Sequence, residues 1–429
     1  MRKLFAGGVA MLIAGSAWAA PVQEVGERYM KLVLAVGQHD ASYVDAYYGP
    51  AQLQEQAAKE KLSLAAIRSE AEAARKALPP PGAGGADADE ALRIAFLDKQ
   101  LQSMVMRVDM LGGEKFSFDE ETATMYNAVA PRNERAYYLE LQDRIGKLLG
   151  GEGPLADRVK AFRARVEIPK DKLRPVMEAA IRACRERSAK YISMPANESF
   201  VLEFVQNQPW SGYNWYKGDA HSLIQINTEF PIYIDRAVDL GCHEGYPGHH
   251  VYNALLEQTL VKGKNWQEFS VYPLYSPMSL VAEGSANYGI LMAFTPQERL
   301  AFERDVLYPL AGLDPALAEK YAALTQLFGK LAYADNDAAR AYLDGKATRE
   351  QTVEWLVNVL LYPPEKAEQR IRFYDANRGY VINYTVGADL VGDYVKRHAT
   401  SSDPETARAQ RWAAFRQLLS SPRLAGSLR

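Results

Sequence analysis

His243-Glu244-Gly245-Tyr246-Pro247-Gly248-His249-His250 gathers three of the six histidines of this 429-residue chain into eight positions. A His-Glu pair followed closely by another His is the arrangement of zinc hydrolases. In these, neutral imidazoles bind Zn2+ through one ring nitrogen, and the glutamate beside the first ligand takes the proton of an attacking water. The spacing is not the usual one. Ligands at i and i+4 share a helix face, whereas i+6, from His243 to His249, turns through about 600° and places the rings on different faces. The i+7 pair, His243 and His250, shares a face but is separated by ~10 Å along the axis. A regular helix therefore cannot make the site. Pro247 and Gly248 permit a break that brings a second imidazole back to the first. The spacing leaves open whether His249 or His250 is that second ligand.

Outward from this stretch, helical patterns are expected over 232–242 before it and 251–260 after it. The next apolar helical run, Leu280 to Tyr288, carries a single acid, Glu283, 34 residues after His249. An acid on an apolar stripe needs a partner. The separation allows a helix, a loop and a returning helix, so Glu283 is the expected third metal ligand. Three protein ligands leave the fourth position open, as catalytic zinc sites require.

The rest of the chain reads as mainly α. Helical spacing runs over 62–78, 91–111, 134–149, 154–166 and 172–191, with a Pro/Gly connector from Pro79 to Ala86. Ser199 to Val205 and His221 to Asn227 read as strands of a small sheet or hairpin, and Gln208 to Gly218 as an aromatic, turn-rich link. The expected organisation is an N-terminal helical lobe over 20–195 and a metal-site region over 196–429 with the small sheet, the zinc helix and the C-terminal helices, the two forming one continuous body.

Residues 1–19 read as a signal peptide: Arg2 and Lys3, a short apolar run to Gly15, and Ala17-Trp18-Ala19 before a cut at Ala20. The run is too short for a membrane anchor, and no cysteine stands at the cut for a lipid. The expected mature chain is exported and periplasmic. The whole chain has 50 basic and 53 acidic residues; losing Arg2 and Lys3 takes the charge from −3 to −5. That balance excludes the basic footprint of a nucleic-acid binder, and 48% hydrophobic residues exclude a disordered chain. Cys184 and Cys242, the two cysteines present, can form one bridge or stay as two buried thiols.

The octapeptide, the Glu283-Gly-x-Ala-x-Tyr288 segment and Tyr384-x-x-Gly387 together resemble the family catalogued as domain of unknown function 885, grouped with the gluzincin-like zinc metallopeptidases. The resemblance is sharpest over 227–288 and 367–395. It implies a mostly helical fold around a cleft, His243, His249 and Glu283 as ligands of Zn2+, Glu244 as general base, and Tyr384 as the hydroxyl that stabilises the oxyanion. It leaves His250 as an alternative ligand or a group behind the ligands. It also implies an edge strand beside the zinc helix that pairs with a peptide, a part for which His221 to Asn227 is placed. Ser285, where the family usually has Trp, and Arg378 to Val381, where it has Pro-Gly-Gln-Ala, depart from the pattern and bear on substrate preference. Arg370, Arg372 and Arg378 are candidates for a substrate carboxylate. The expected function is an exported zinc metallohydrolase, a peptidase acting on a peptide or small amide, with no nucleic-acid or membrane partner after signal cleavage. The alternatives are a non-catalytic periplasmic binding or scaffold protein on the same fold, and a zinc hydrolase of a non-peptide amide or ester.

Overall fold

The computed structural model describes residues 16–80, 88–208 and 210–429. Nearly all of the expected signal peptide, and the connector from 81 onward, lie outside the described residues. The expected helices are present as Leu64–Ala77, Ala88–Leu111, Arg135–Leu149, Leu155–Ala164 and Leu173–Ser188. Local chemistry sets their ends. Ser63 Oγ accepts from the Ala66 N–H at 3.2 Å, capping the first of them. Ser117 and Glu120 form a reciprocal capping box that starts the Phe118–Met125 helix.

The fold is mainly α, with two small sheets. The strands are β1 (Val44–Tyr47), β2 (Ser199–Val205), β3 (Gly212–Gly218), β4 (His221–Asn227) and β5 (Val271–Pro273). β1 and β5 pair antiparallel, bringing an N-terminal segment against the chain just before the Glu283 helix. The other sheet has the order β2-β4-β3. β2 runs parallel to β4, with Ser199 opposite His221. β3 and β4 form an antiparallel hairpin closed by Asp219 and Ala220, at φ of 53° and 57°. Both residues are left-handed, as a two-residue hairpin turn of matching twist requires.

This corrects two expectations. The 208–218 segment is not merely a link, because Tyr213, Trp215 and Tyr216 are strand formers and carry β3. His221–Asn227 is not an edge strand: β4 lies between its neighbours, its hydrogen-bonding edges are occupied, and β3 is the edge beside the metal turn.

One hydrophobic core runs through the described chain, from Val22 to Leu428. At its centre lies the Pro277–Ala293 helix, buried on nearly every face. It packs on the Ile382–Arg397 helix at a glycine crossing. A Cβ on Gly387 would stand 2.5 Å from the Leu280 carbonyl oxygen, and one on Gly284 would stand 2.4 Å from the Gly387 carbonyl carbon. The two backbones touch, which holds Glu283 against the segment bearing Tyr380 and Tyr384. Because backbone cannot move aside as a flexible side chain can, Gly387→Ala should destabilise by about 2 kcal/mol. The measurement is the melting temperature at fixed scan rate, with Gly329→Ala as control. Gly329 lies in a helix with no neighbour within 4 Å, so there alanine should stabilise. Equal melting temperatures for the two variants would refute the crossing.

Candidate metal centre

The Ile234–Leu240 helix does not continue regularly into the octapeptide. It widens into a π turn over Gly241–Gly245, closed by the Tyr246 N–H on the Gly241 carbonyl at 3.4 Å. The Tyr246–Pro247 peptide is cis, and a new helix begins at His249. Between them Gly248 folds onto the turn: its N–H donates to Cys242 O at 3.0 Å, and a Cβ on it would lie 1.8 Å from His243 O. Only glycine fits there. The break anticipated from Pro247 and Gly248 is thus a π turn followed by a fold-back, and it cancels the i+6 mismatch. Cys242 is bonded to Cys184 of the Leu173–Ser188 helix, which pins the residue preceding His243.

As a result the imidazoles of His243 and His249 face each other, Nε2 to Nε2 at 3.1 Å, with perpendicular rings. Glu283 Oε2 lies 3.2 Å from His243 Nε2 and 3.7 Å from His249 Nε2. Two ligands bound at about 2.05 Å on a tetrahedral ion stand about 3.3 Å apart, so this triangle has the dimensions of three such ligands. Glu283 Oε2 is buried and has no hydrogen-bond partner, whereas Oε1 accepts from the Tyr380 hydroxyl at 2.7 Å. One oxygen is therefore oriented by Tyr380 and the other faces the two imidazoles. His243 is fixed from behind: its Nδ1 lies 2.9 Å from Asn287 Oδ1, and Asn287 Nδ2 donates to the Tyr384 carbonyl at 2.9 Å. Such partners set the tautomer that frees Nε2 for a metal.

Glu244 is buried, with a carboxylate oxygen within 4.8 Å of one ring nitrogen each of His243 and His249. The carboxylate rests on Gly212 at the start of β3, where a Cβ would lie 2.7 Å from its Oε1. With His243 and His249 it forms a group of side chains that could hold an ion. Burial raises its pKa above the usual carboxylate range, against the pull of His243 and His249. For Glu283, burial acts in the same direction, but His249 and His243 outweigh it and hold the carboxyl far below its ordinary range. Burial works to strip the His249 proton, yet Glu283 and Glu244 raise it to about 9.

His250 turns away. It is fully buried, with Nδ1 2.8 Å from Ser222 Oγ on β4 and Nε2 3.6 Å from Glu198. Glu198 also accepts from the Tyr246 hydroxyl and from Arg185 at 2.8 Å. Burial opposes its charge, but His250, Tyr246 and Arg185 prevail and hold it at about 2. Of the two histidines left open by the spacing, His249 is the one brought against His243, and His250 packs on Ser222 and Glu198 instead.

Tyr384 is half-buried beside the centre, its ring 5.9 Å from that of Tyr380. Burial and the Glu283 carboxylate push its hydroxyl well above the ordinary value, so it stays a proton donor. Of the three candidate arginines, Arg370 pairs with Asp335 and Arg378 with Glu121 at 2.8 Å, while Arg372 is exposed. Both paired side chains already face a carboxylate within the fold.

Sequence reasoning missed Tyr380, Asn287 and Asp45. Asn287 stands four residues after Glu283, a spacing that puts both on one helix face and could have revealed it. Asp45, on β1, accepts from the Tyr213 hydroxyl of β3 and is raised to about 6, chiefly by burial. No local pattern marks it.

No protein-family model matches the chain, and no curated protein does. Among solved structures it is similar to the "putative lipoprotein" of Colwellia psychrerythraea, at 15% identity and a TM-score of 0.50, covering 83% of this chain and 73% of the other. A "putative lipoprotein of unknown function" from Shewanella oneidensis gives 13% identity and a TM-score of 0.42, covering 85% and 75%. The first likeness concerns the fold alone. Among the described residues no helix is long and apolar enough to cross a membrane.

If the triangle is the ligand set, His249→Ala and Glu283→Gln should each lower Zn2+ affinity at least 100-fold, while His250→Ala leaves the zinc content at one per chain. Plasma emission spectrometry after dialysis against a weak chelator reads this directly. Because the metal must displace the His249 proton, affinity should rise with pH up to about 9, with proton uptake by buffer detectable in calorimetry. Zinc loss in the His250 variant alone would reverse the assignment.

Proposed function

We propose that the protein is a zinc-dependent hydrolase of the peptidase type. The observation that carries this reading is the triangle of His243 Nε2, His249 Nε2 and Glu283 Oε2 with edges of 3.1, 3.2 and 3.7 Å. Two imidazoles and one carboxylate are a donor set of catalytic zinc, and three protein ligands leave room for water and substrate. Bound there, Zn2+ supplies Lewis acidity to the substrate carbonyl and lowers the pKa of a water.

The chain's own residues then divide the remaining work. Glu244, buried and with a raised pKa, takes the proton of the attacking water on its carboxylate and delivers it to the leaving amine nitrogen. The Tyr384 hydroxyl, protonated at all working pH values, donates to the oxyanion as the carbonyl carbon becomes tetrahedral. Tyr380 holds the Glu283 carboxylate in place. The outer edge of β3, which pairs with no strand among the described residues, lies beside Glu244 and offers backbone groups to an extended peptide. The aromatic row of Trp210, Tyr213 and Trp215 lines the same segment.

Export to the periplasm is part of the proposal, and the Cys184–Cys242 bridge favours it, because disulfides persist in oxidising compartments.

Glu244→Gln should keep one zinc per chain and lose about 10²–10⁴-fold in kcat on a peptide library. Tyr384→Phe should lower kcat with little change in KM. Full turnover in the Glu244 variant would refute the mechanism. A zinc-loaded wild-type protein that cleaves no peptide, amide or ester would instead favour the non-catalytic alternative.

A further inference from the structure

The Tyr380 hydroxyl that orients Glu283 is carried on a turn held from the far end of the chain. Arg378–Val381 form one short helical turn between the Pro364–Asn377 and Ile382–Arg397 helices. Its first residue, Arg378, sits at φ 48° and ψ −123°, a conformation that an L side chain rarely adopts. Such a backbone persists only where its surroundings over-determine it. Here the surroundings are chiefly one side chain, Glu121 of the Phe118–Met125 helix. Its Oε1 accepts from the Gly379 N–H at 2.9 Å, and its Oε2 accepts from Arg378 Nε at 2.8 Å, across 258 and 257 residues of sequence. Glu121 is only 1% exposed. A Cβ on Gly379 would stand 3.0 Å from Glu121 Oε1 and 2.7 Å from Thr122 Cγ2, so the turn lies directly on that helix. Tyr126, which ends the same helix, meets the Tyr380 ring edge-on at 6.0 Å.

These contacts run without a gap to the ligand triangle. Glu121 holds the amide of Gly379, and Tyr380 is the next residue. The Tyr380 hydroxyl donates to Glu283 Oε1 at 2.7 Å, and the other oxygen of that carboxylate lies 3.2 Å from His243 Nε2. Burying a carboxylate against an arginine adds little net stability, because desolvation offsets the attraction. What two occupied oxygens do supply is position. With both acceptors engaged on adjacent residues, the turn can neither roll nor slide on the helix, and the reach of the following side chain is set.

We propose that Glu121 is a positioning residue of the metal centre: by gripping Arg378 and the Gly379 N–H it fixes the Tyr380 hydroxyl on Glu283, and so fixes the aim of the third ligand. This rests on the metal-ligand reading above. It extends the centre into the N-terminal helices, from which no ligand comes. Tyr380 touches the ligand, and Glu121 acts only through Tyr380.

The test is a double-variant cycle read as Zn2+ affinity by competition with a chelating dye. Glu121→Gln keeps the size of the side chain, but an amide has one accepting oxygen, so either the Gly379 N–H or Arg378 Nε meets an NH2 group. Affinity should fall about tenfold in Glu121→Gln and about tenfold in Tyr380→Phe. The double variant should bind no more weakly than the worse single one, because both changes act through the same hydroxyl. Losses that multiply, or no loss in Glu121→Gln, would overturn the proposal. Glu120→Ala removes the capping box of the same helix without touching the turn and should leave affinity unchanged. A loss there as large as in Glu121→Gln would assign the effect to the helix as a whole and also overturn it. Should Glu121→Gln fail to fold, Arg378→Met removes one of the two donors at a side chain 29% exposed and should weaken binding in the same sense; unchanged affinity in that variant counts against the proposal. If the wild type takes up no zinc, the hydrolase reading falls, and the fluorine NMR resonance of a fluorotyrosine placed at position 380 decides the positioning alone. Glu283→Gln should move that resonance in the otherwise wild-type chain and not in the Glu121→Gln or Arg378→Met background. Equal movement in all of them would show that Glu121 does not set the Tyr380 hydroxyl.

Discussion

The backbone of Gly248 lies against the carbonyl of His243, and the ligand triangle hangs on that contact. With a Cβ at 248 placed 1.8 Å from the oxygen, any other residue would push the chain off the π turn. His249 would swing away with it, and the 3.1 Å approach of the two imidazoles would be lost. The second constraint is of the same kind. At Gly284 and Gly387 two helices meet backbone to backbone, and the ligand carboxylate is carried on one side of that contact while the tyrosines sit on the other. Side-chain packing can relax around a change of one methylene, but these contacts cannot, because the atoms involved belong to the chain itself.

Around this frame several buried charges face an opponent. Glu283 faces two imidazoles, Glu198 faces Arg185 and His250, and Arg370 faces Asp335. Such pairs are costly to bury and more costly to break, so they fix position more than they add stability. The Glu198 network lies directly beneath the turn, and through Tyr246 and His250 it touches both arms of the fold-back. One atom is informative: Glu283 Oε2 faces the two imidazoles yet makes no hydrogen bond.

How much of this could be read from the chain depended on the range of the interaction. Helical periodicity and capping residues are local, and the helices stand where spacing put them, within a few residues. The break at Pro247 and Gly248 was legible as geometry, because it is contained in eight residues. Which histidine meets His243 was not, since His250 is held by Ser222 and Glu198, which reach it from elsewhere in the chain. β4 was legible as a strand but not as the middle one, because strand order is set by a parallel partner rather than by its own alternation. Tyr380 and Asp45 arrive from 97 residues after Glu283 and from the opposite end of the fold, and the chain around them carries no sign of it.

The bond between Cys184 and Cys242 closes a covalent ring. Its circumference contains β2, β3 and β4 in full, and it shuts one residue before His243. The three-stranded sheet is thereby a loop tied at its base to the ligand helix, like a handle riveted at both ends. The edge strand cannot drift from the ion site by more than that closure allows, whatever the helices around it do. Reduction would leave His243, His249 and Glu283 in the chain and yet remove the tether that keeps the β3 edge beside them.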